Sequence, residues 1–250
     1  MAKIIAFANQ KGGVGKTTSC VNLIAALKSL GKRVLLVDCD PQGNASSGMG
    51  VAKSTRPNTY DMLINGAAPE DCIRHTEYGD VIPTGKELAA ASVEMINEDR
   101  REFVLKEALQ KLYSDYDYIF IDCPPSLELL TVNALVAADS VLIPMQCEYY
   151  ALEGIVDLMT SIKMCSRKLN RKLQVEGILL TMYDARANLT AQVAGELRKH
   201  MGSKVYETVI PRTVRLSEAP SHGIPGVFYD KSNKGSKAYM ALGEEFLSKQ

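Results

Sequence analysis

Lys11-Gly-Gly-Val-Gly-Lys-Thr-Thr18 lies between an apolar run at residues 4–8 and a helical pattern carried by Val21, Leu23, Ile24 and Leu27. The order is strand, glycine-rich turn, helix. Glycines let successive backbone N–H groups turn inward with no Cβ in the way, and the helix N-terminus adds partial positive charge. Lys16 is placed to reach the β- and γ-phosphates of a nucleotide, and the Thr17 hydroxyl to ligate Mg²⁺. Gly12, Gly13, Val14, Gly15 and Thr18 supply the rest of the cradle. One feature departs from the usual G-x-x-x-x-G-K-[ST] loop: position 10 is Gln where Gly is expected, and a second lysine, Lys11, follows it.

Working outward, further apolar runs fall at residues 34–37, 118–121, 141–144, 175–180 and 205–210, and helix-period patterns separate most of them. Leu105, Leu109 and Leu112 mark one helix. Leu152, Ile155, Leu158 and Ile162 mark a longer one, and Leu189, Val193 and Leu197 a third. Nearly continuous apolar strands imply a sheet buried on both faces. Their alternation with helices predicts an α/β fold, a doubly wound, mostly parallel sheet with helices on both sides. Residues 45–99 read as an excursion of short helices with one small strand, so residues 1–250 form a single domain. A final helix over 237–247 should dock through Ala238, Ala241, Leu242 and Phe246.

Composition narrows the function classes. The 29 basic and 29 acidic residues give a net charge of +0, so any contact with nucleic acid or membrane must come from a local patch. The six cysteines contain no C-x-x-C pair, which removes the usual zinc and redox spacings and leaves buried small hydrophobes. No run is long enough to span a bilayer, and the N-terminus has no signal-peptide layout. A cytoplasmic protein is expected.

The chemistry gathers at strand ends, where doubly wound sheets bind ligands. The second strand ends in Asp38-Cys-Asp-Pro-Gln-Gly-Asn44 and the third in Asp122-Cys-Pro-Pro-Ser126. A glycine-rich turn alone also serves as a plain connection, and Asp38 or Asp122 alone as a helix cap. Three clusters at three strand ends point to a nucleotide triphosphatase site. Asp122 suits the metal, often through water, with Asp38 beside it. Asp40, two residues beyond its strand, is placed to orient a water in line with the γ-phosphate. Lys11 sits too early to share the role of Lys16. A second cation there would stabilise transition-state charge in the manner of an arginine finger.

These segments resemble the deviant Walker ATPases, and within them the ParA/Soj partitioning ATPases. The resemblance continues through Glu148-Tyr-Tyr-Ala-Leu-Glu-Gly154, Thr181-Met-Tyr-Asp-Ala-Arg186 and Ile210-Pro-Arg-Thr-Val-Arg-Leu-Ser-Glu-Ala-Pro-Ser-His-Gly223, and covers nearly the whole chain. It implies ATP and Mg²⁺ as cofactors and an ATP-sandwich homodimer in which Lys11 crosses to the partner's nucleotide. Lys16 and Asp40 match catalytic positions, Thr17 the direct Mg²⁺ ligand, and Asp122 a residue behind it. Pro211 to Thr213 match the adenine-contacting stretch, although relatives carry Asn where this chain has Thr213. The resemblance also implies non-specific DNA binding at the nucleoid, with Arg186, Arg212 and Arg215 as contacts, and a ParB/Spo0J-like partner that stimulates turnover.

Other readings keep the same loop. A MinD-like membrane-cycling ATPase wants a basic amphipathic C-terminal segment, and Gly243 to Gln250 reads Gly-Glu-Glu-Phe-Leu-Ser-Lys-Gln; stable membrane binding is not expected. A reductase-type relative wants cluster-binding cysteines in glycine-rich settings, whereas Cys123 is followed by Pro and Cys147 lies between Gln and Glu. The same chemistry could also position a plasmid or a protein assembly. No long N-terminal extension of the autorepressor type precedes the first strand. A basic run, Lys163, Arg167, Lys168, Arg171 and Lys172, stands apart from the family segments, and reads equally as a DNA contact or a solvated helix end.

Overall fold

The computed structural model describes residues 1–148 and 151–250. Tyr149 and Tyr150, which fall in one of the family segments, lie outside the described residues. Seven strands form one sheet: β1 (Lys3–Phe7), β2 (Val34–Asp38), β3 (Arg74–Thr76), β4 (Gly79–Ile82), β5 (Tyr118–Asp122), β6 (Ser140–Gln146) and β7 (Gln174–Thr181). Their spatial order is β3-β4-β2-β5-β1-β6-β7. All neighbours run parallel except β3 against β4. The sequence therefore places the glycine-rich loop at the end of a central strand, flanked by β5 and β6.

Alternation along β1 shows why both faces are covered. Ile4 and Ala6 enter one apolar cluster, Ile5 and Phe7 the other. Over the second face lie α1 (Lys16–Ser29), α2 (Asn44–Gly48) and, from the C-terminal part, α10 (Val214–Glu218), α11 (Gly226–Tyr229) and α12 (Lys234–Ser248). The first face is covered by α3 (Thr59–Ile64), α4 (Pro69–Cys72), α5 (Leu88–Glu94), α6 (Val104–Leu109), α7 (Leu129–Ala137), α8 (Ala151–Lys168) and α9 (Asn188–Met201). Phe120 on β5 meets Phe7 edge-on, with centroids 5.6 Å apart, and Phe246 of α12 at 5.9 Å. Such aromatic contacts add about 0.5–1.5 kcal/mol each to the burial they accompany. All six cysteines are free and buried, as expected.

Four expectations need correction. Residues 205–210 do not form a strand: Val205 and Pro211 make isolated bridges to Ile178 and Tyr183. Between them the Glu207 and Thr208 N–H groups donate to the Glu245 carboxylate on α12, each at 2.9 Å, which turns the middle of the segment away from β7. The excursion contains two strands, not one, because the polar Arg74-His-Thr76 pairs back onto β4 at the sheet edge. On α12 the buried apolar side chains are Tyr239, Leu242 and Phe246, while Ala241 is exposed. On α9, Val193 and Leu197 are buried but Leu189 is 45% exposed.

Candidate nucleotide site

The loop between β1 and α1 is shaped by two left-handed glycines, Gly13 at φ 73° and Gly15 at φ 84°, a conformation L-residues with a Cβ avoid. Gly15 caps α1 without offering a side-chain acceptor, and the first turn of α1 carries no acidic residue. Its leading N–H groups are thus left to an anion. Polar side chains at neighbouring strand ends hold the loop from below. Thr181 Oγ1 donates to the Val14 carbonyl (2.7 Å), Gln146 Nε2 to the Gly13 carbonyl (2.8 Å), and Asn9 Nδ2 to the Pro144 carbonyl (2.8 Å).

The two lysines take opposite directions. Lys16 is 7% exposed and bends back over the loop, donating from Nζ to the Lys11 carbonyl at 3.3 Å. Burial pulls its pKa down, opposed by the charges of Asp122, Cys123 and Asp40; phosphate oxygens over the loop would stabilise its charged form. Lys11 points outward and pairs with Glu148 of its own chain, both side chains about half exposed. Among the described residues a Cβ at Gly12 or Gly13 would meet nothing within 4 Å.

Behind the loop, the Thr17 hydroxyl donates to Asp122 Oδ2 at 2.7 Å. Asp122 Oδ1 is buried without a partner among the described residues. Burial, and then the Asp38 charge, raise the Asp122 carboxyl well above the usual carboxylate range. An orphaned buried carboxylate oxygen calls for a donor, and a water on a Mg²⁺ held beside Thr17 would provide one. Among the described residues no three His, Cys, Asp or Glu side chains form a ready-made metal cage. That fits Mg²⁺, which keeps waters and shares its shell with substrate phosphates.

Asp38, expected beside the metal, also has protein partners of its own. Its Oδ2 accepts the Ser46 N–H and hydroxyl, both at 2.7 Å, and its Oδ1 accepts the Asp40 N–H at 3.2 Å. Ser46 Oγ in turn accepts the Thr84 N–H at 3.0 Å. The carboxylate thus serves α2 from outside as a cap and anchors the loop that carries Asp40, while Asp38 stays the strand neighbour of Asp122 across β2 and β5. Asp40 is 8% exposed, and its Oδ1 accepts the Gln42 N–H at 3.0 Å.

Burial pushes the Asp38 carboxyl up from 3.8 to about 6. A carboxyl raised in the folded state stabilises fully below its unfolded value, and that stabilisation is lost as pH rises through the folded value. Relative to the parent, Asp38→Asn should therefore flatten the fall in unfolding free energy between about pH 4 and about pH 6, read from urea midpoints.

Past β7, a cavity of about 1040 Å³ is lined by Tyr183, Arg186, Pro211, Arg212, Thr213 and Val214 among others. Residues expected to contact a nucleobase and residues expected to contact DNA share its wall. Thr213 Oγ1 caps α10 by accepting the Leu216 N–H at 3.2 Å. Its O–H and its backbone are left for a base. Arg186 pairs with Asp184 (3.0 Å), while Arg215 stands apart from the cavity and pairs with Glu218 (2.9 Å) and Asp230 (3.6 Å). Ser46, Gln146, Thr181 and Glu148 were not singled out from the sequence. Gln146 and Thr181 end apolar strands, the same signal that marks Asp38 and Asp122.

Comparison with known proteins agrees with this geometry. A family model described as an AAA domain matches residues 2–175. The sporulation initiation inhibitor protein Soj of Bacillus subtilis is 55% identical over 98% of this chain and 98% of its own. The chromosome partitioning protein ParA of Myxococcus xanthus is 51% identical over 100% of this chain and 89% of its own. The structure of cobyrinic acid a,c-diamide synthase from Mycobacterium smegmatis, with bound ATP analog and magnesium, superposes with a TM-score of 0.87 at 34% identity, covering 99% of this chain and 95% of that one. Identities of 55% and 51% over nearly the whole length of both chains place the protein in the ParA/Soj family of chromosome-partitioning ATPases.

Proposed function

We propose that the protein binds ATP and Mg²⁺ in the loop, closes as an ATP-sandwich homodimer on non-specific DNA, and leaves it on hydrolysis, serving chromosome or plasmid segregation at the nucleoid. The observation that carries this reading is the opposite orientation of Lys16 and Lys11. Lys16 and the first N–H groups of α1 hold the β- and γ-phosphates of the chain's own nucleotide. Thr17, and Asp122 through water, would hold Mg²⁺, which would supply charge neutralisation at those phosphates. Asp40, fixed through Asp38 and Ser46, orients the attacking water. Lys11 leaves Glu148 and stabilises charge on the partner's γ-phosphate. Gly12 and Gly13 give the two loops room to approach. Turnover is slow until a ParB/Spo0J-like partner engages the dimer, whose γ-phosphate-dependent closure is the switch.

Co-sedimentation with duplex DNA, with and without ATP and at two salt concentrations, tests this reading. ATP-dependent, salt-sensitive retention is expected. Arg215→Ala should weaken it and make the salt dependence shallower by about 0.9 for each phosphate that is no longer neutralised. Retention by liposomes and not by DNA would overturn the reading in favour of a membrane-cycling ATPase. Among the described residues no helix is long and apolar enough to cross a membrane.

A further inference from the structure

The mechanism leaves unused a set of cations at the opposite end of the sheet. Lys3 opens β1, Lys32 precedes β2, and Arg171 and Lys172 precede β7. With Lys204 and Lys249 they line two depressions, of about 860 and 590 Å³, that share Lys3 and Lys249. Across the order β2-β5-β1-β6-β7, with strands about 4.8 Å apart, the row spans about 19 Å.

The acidic side chains in these depressions are already engaged. Asp139 accepts the Ile4 N–H at 2.9 Å. Glu176 is held by Lys3 (2.7 Å), Ser140 (2.6 Å) and Gln250 (2.9 Å), and Asp117 by Arg33 (2.9 Å). Lys249 also pairs with Glu245 (2.7 Å). In a chain with a net charge of +0, six cations against four carboxylates are a local positive excess, and Lys32, Arg171, Lys172 and Lys204 are in no ion pair among the described residues. The turn carrying Arg171 and Lys172 is also firmly built. The buried Asn170 donates to the carbonyls of Leu135 (3.0 Å) and Ala138 (2.7 Å) and accepts the Lys172 N–H (3.3 Å).

We infer that this basic row is a second, sequence-independent contact for the phosphate backbone of duplex DNA, separate from Arg186, Arg212 and Arg215. It rests on the DNA-binding reading above. The lining is dominated by charged and polar side chains, which suits phosphates spaced along a duplex better than the aromatic anchoring of a protein partner. Because the row lies at the far ends of the strands from the phosphate loop, a dimer closed through its loops leaves it open on both subunits. The basic run near the end of α8 divides accordingly: Arg171 and Lys172 belong to the row, and Arg167 and Lys168 lie in the last helical turn just before it.

Binding of the ATP-loaded full chain to a labelled duplex of arbitrary sequence, followed by anisotropy across a salt series, tests the inference. Arg171→Gln/Lys172→Gln should bind several-fold more weakly, with the slope of log affinity against log salt shallower by about 1–2. Its melting temperature and basal ATPase rate should match the parent. Lys32→Gln/Lys204→Gln, on other elements, should act in the same direction. If the parent binds and both double variants keep its affinity and slope, the inference is wrong while the DNA-binding reading stands. If the double variants lose retention by anionic phosphatidylglycerol vesicles but not by DNA, the row is a membrane contact and the inference is equally wrong. A parent that binds no duplex with ATP overturns the DNA-binding reading and this inference with it.

Discussion

Asp40→Ala should hydrolyse ATP about 10²–10³-fold more slowly than the parent, the order seen when one preorganised polar group is removed from a charge-developing site, with ATP affinity within a few-fold of the parent. The split follows from position. Asp40 sits in the loop beyond β2, and nothing in the phosphate cradle of Gly13, Gly15 and Lys16 hydrogen-bonds to it. Its role in hydrolysis is to orient water, a contribution made during the reaction rather than in ATP binding. The variant should accumulate as an ATP-bound dimer on DNA, because closure is intact and release is blocked. Asp40→Asn is the useful companion, since its amide oxygen can still accept the Gln42 N–H that Asp40 Oδ1 takes at 3.0 Å. If Asn loses turnover as Ala does, the carboxylate acts on the water. If Asn restores turnover, Asp40 merely shapes the loop. Single-turnover rates and nucleotide affinity, measured on the same preparations, read both outcomes.

Lys11→Ala should lose turnover by about 10³-fold, the lower end of what a cation supplied in trans brings to phosphoryl transfer, and should lose ATP-dependent dimerisation and DNA retention with it. Its effect on the folded monomer should be small. The ion pair with Glu148 is about half exposed on both sides, and exposed pairs contribute about 0–1 kcal/mol. Breaking that pair to reach a partner subunit is correspondingly cheap. Monomeric ATP binding should survive, because Lys16, the α1 N-terminus and the Thr17–Asp122 pair are untouched. Sedimentation velocity with ATP is the direct reading: a variant that still forms the parental dimer would show that Lys11 does not bridge subunits.

The features legible in the sequence are those where chemistry and periodicity coincide. Apolar runs ending in Asp38 and Asp122, and the run ahead of Lys11 to Thr18, mark strand ends, and the parallel register brings those ends together. Asp38 shows where residue type falls short. A carboxylate at a strand end suggests a metal, but only the fold shows that it also accepts from Ser46 and the Asp40 N–H. Ser46 lies eight residues on, in a short helix of small residues that has no pattern of its own. Thr213 is similar, since a threonine ahead of Val-Arg-Leu is an ordinary cap, which competes with a role toward a base. Residues 205–210 alternate well enough for a strand, yet Glu245, distant in sequence, takes the N–H groups that pairing would need. Arg74-His-Thr76 has no apolar face at all, and its place at the sheet edge is set by its turn onto β4. The row from Lys3 to Lys249 is invisible to any window of sequence, because its residues are scattered along the chain and only the fold gathers them at one end of the sheet.

The central claim is that Lys11 acts on the neighbour's nucleotide, and mixing two inactive variants tests it most directly. In a dimer of one Lys11→Ala and one Asp40→Ala subunit, the Lys11→Ala subunit keeps its own Asp40 and receives Lys11 from its partner. One of the two sites is then complete. An equal mixture should be more active than the sum of its two components, with random pairing setting the ceiling at about a quarter of parental ATPase activity, because each mixed dimer holds one good site of two. A mixture no more active than the sum of its two components would contradict action in trans.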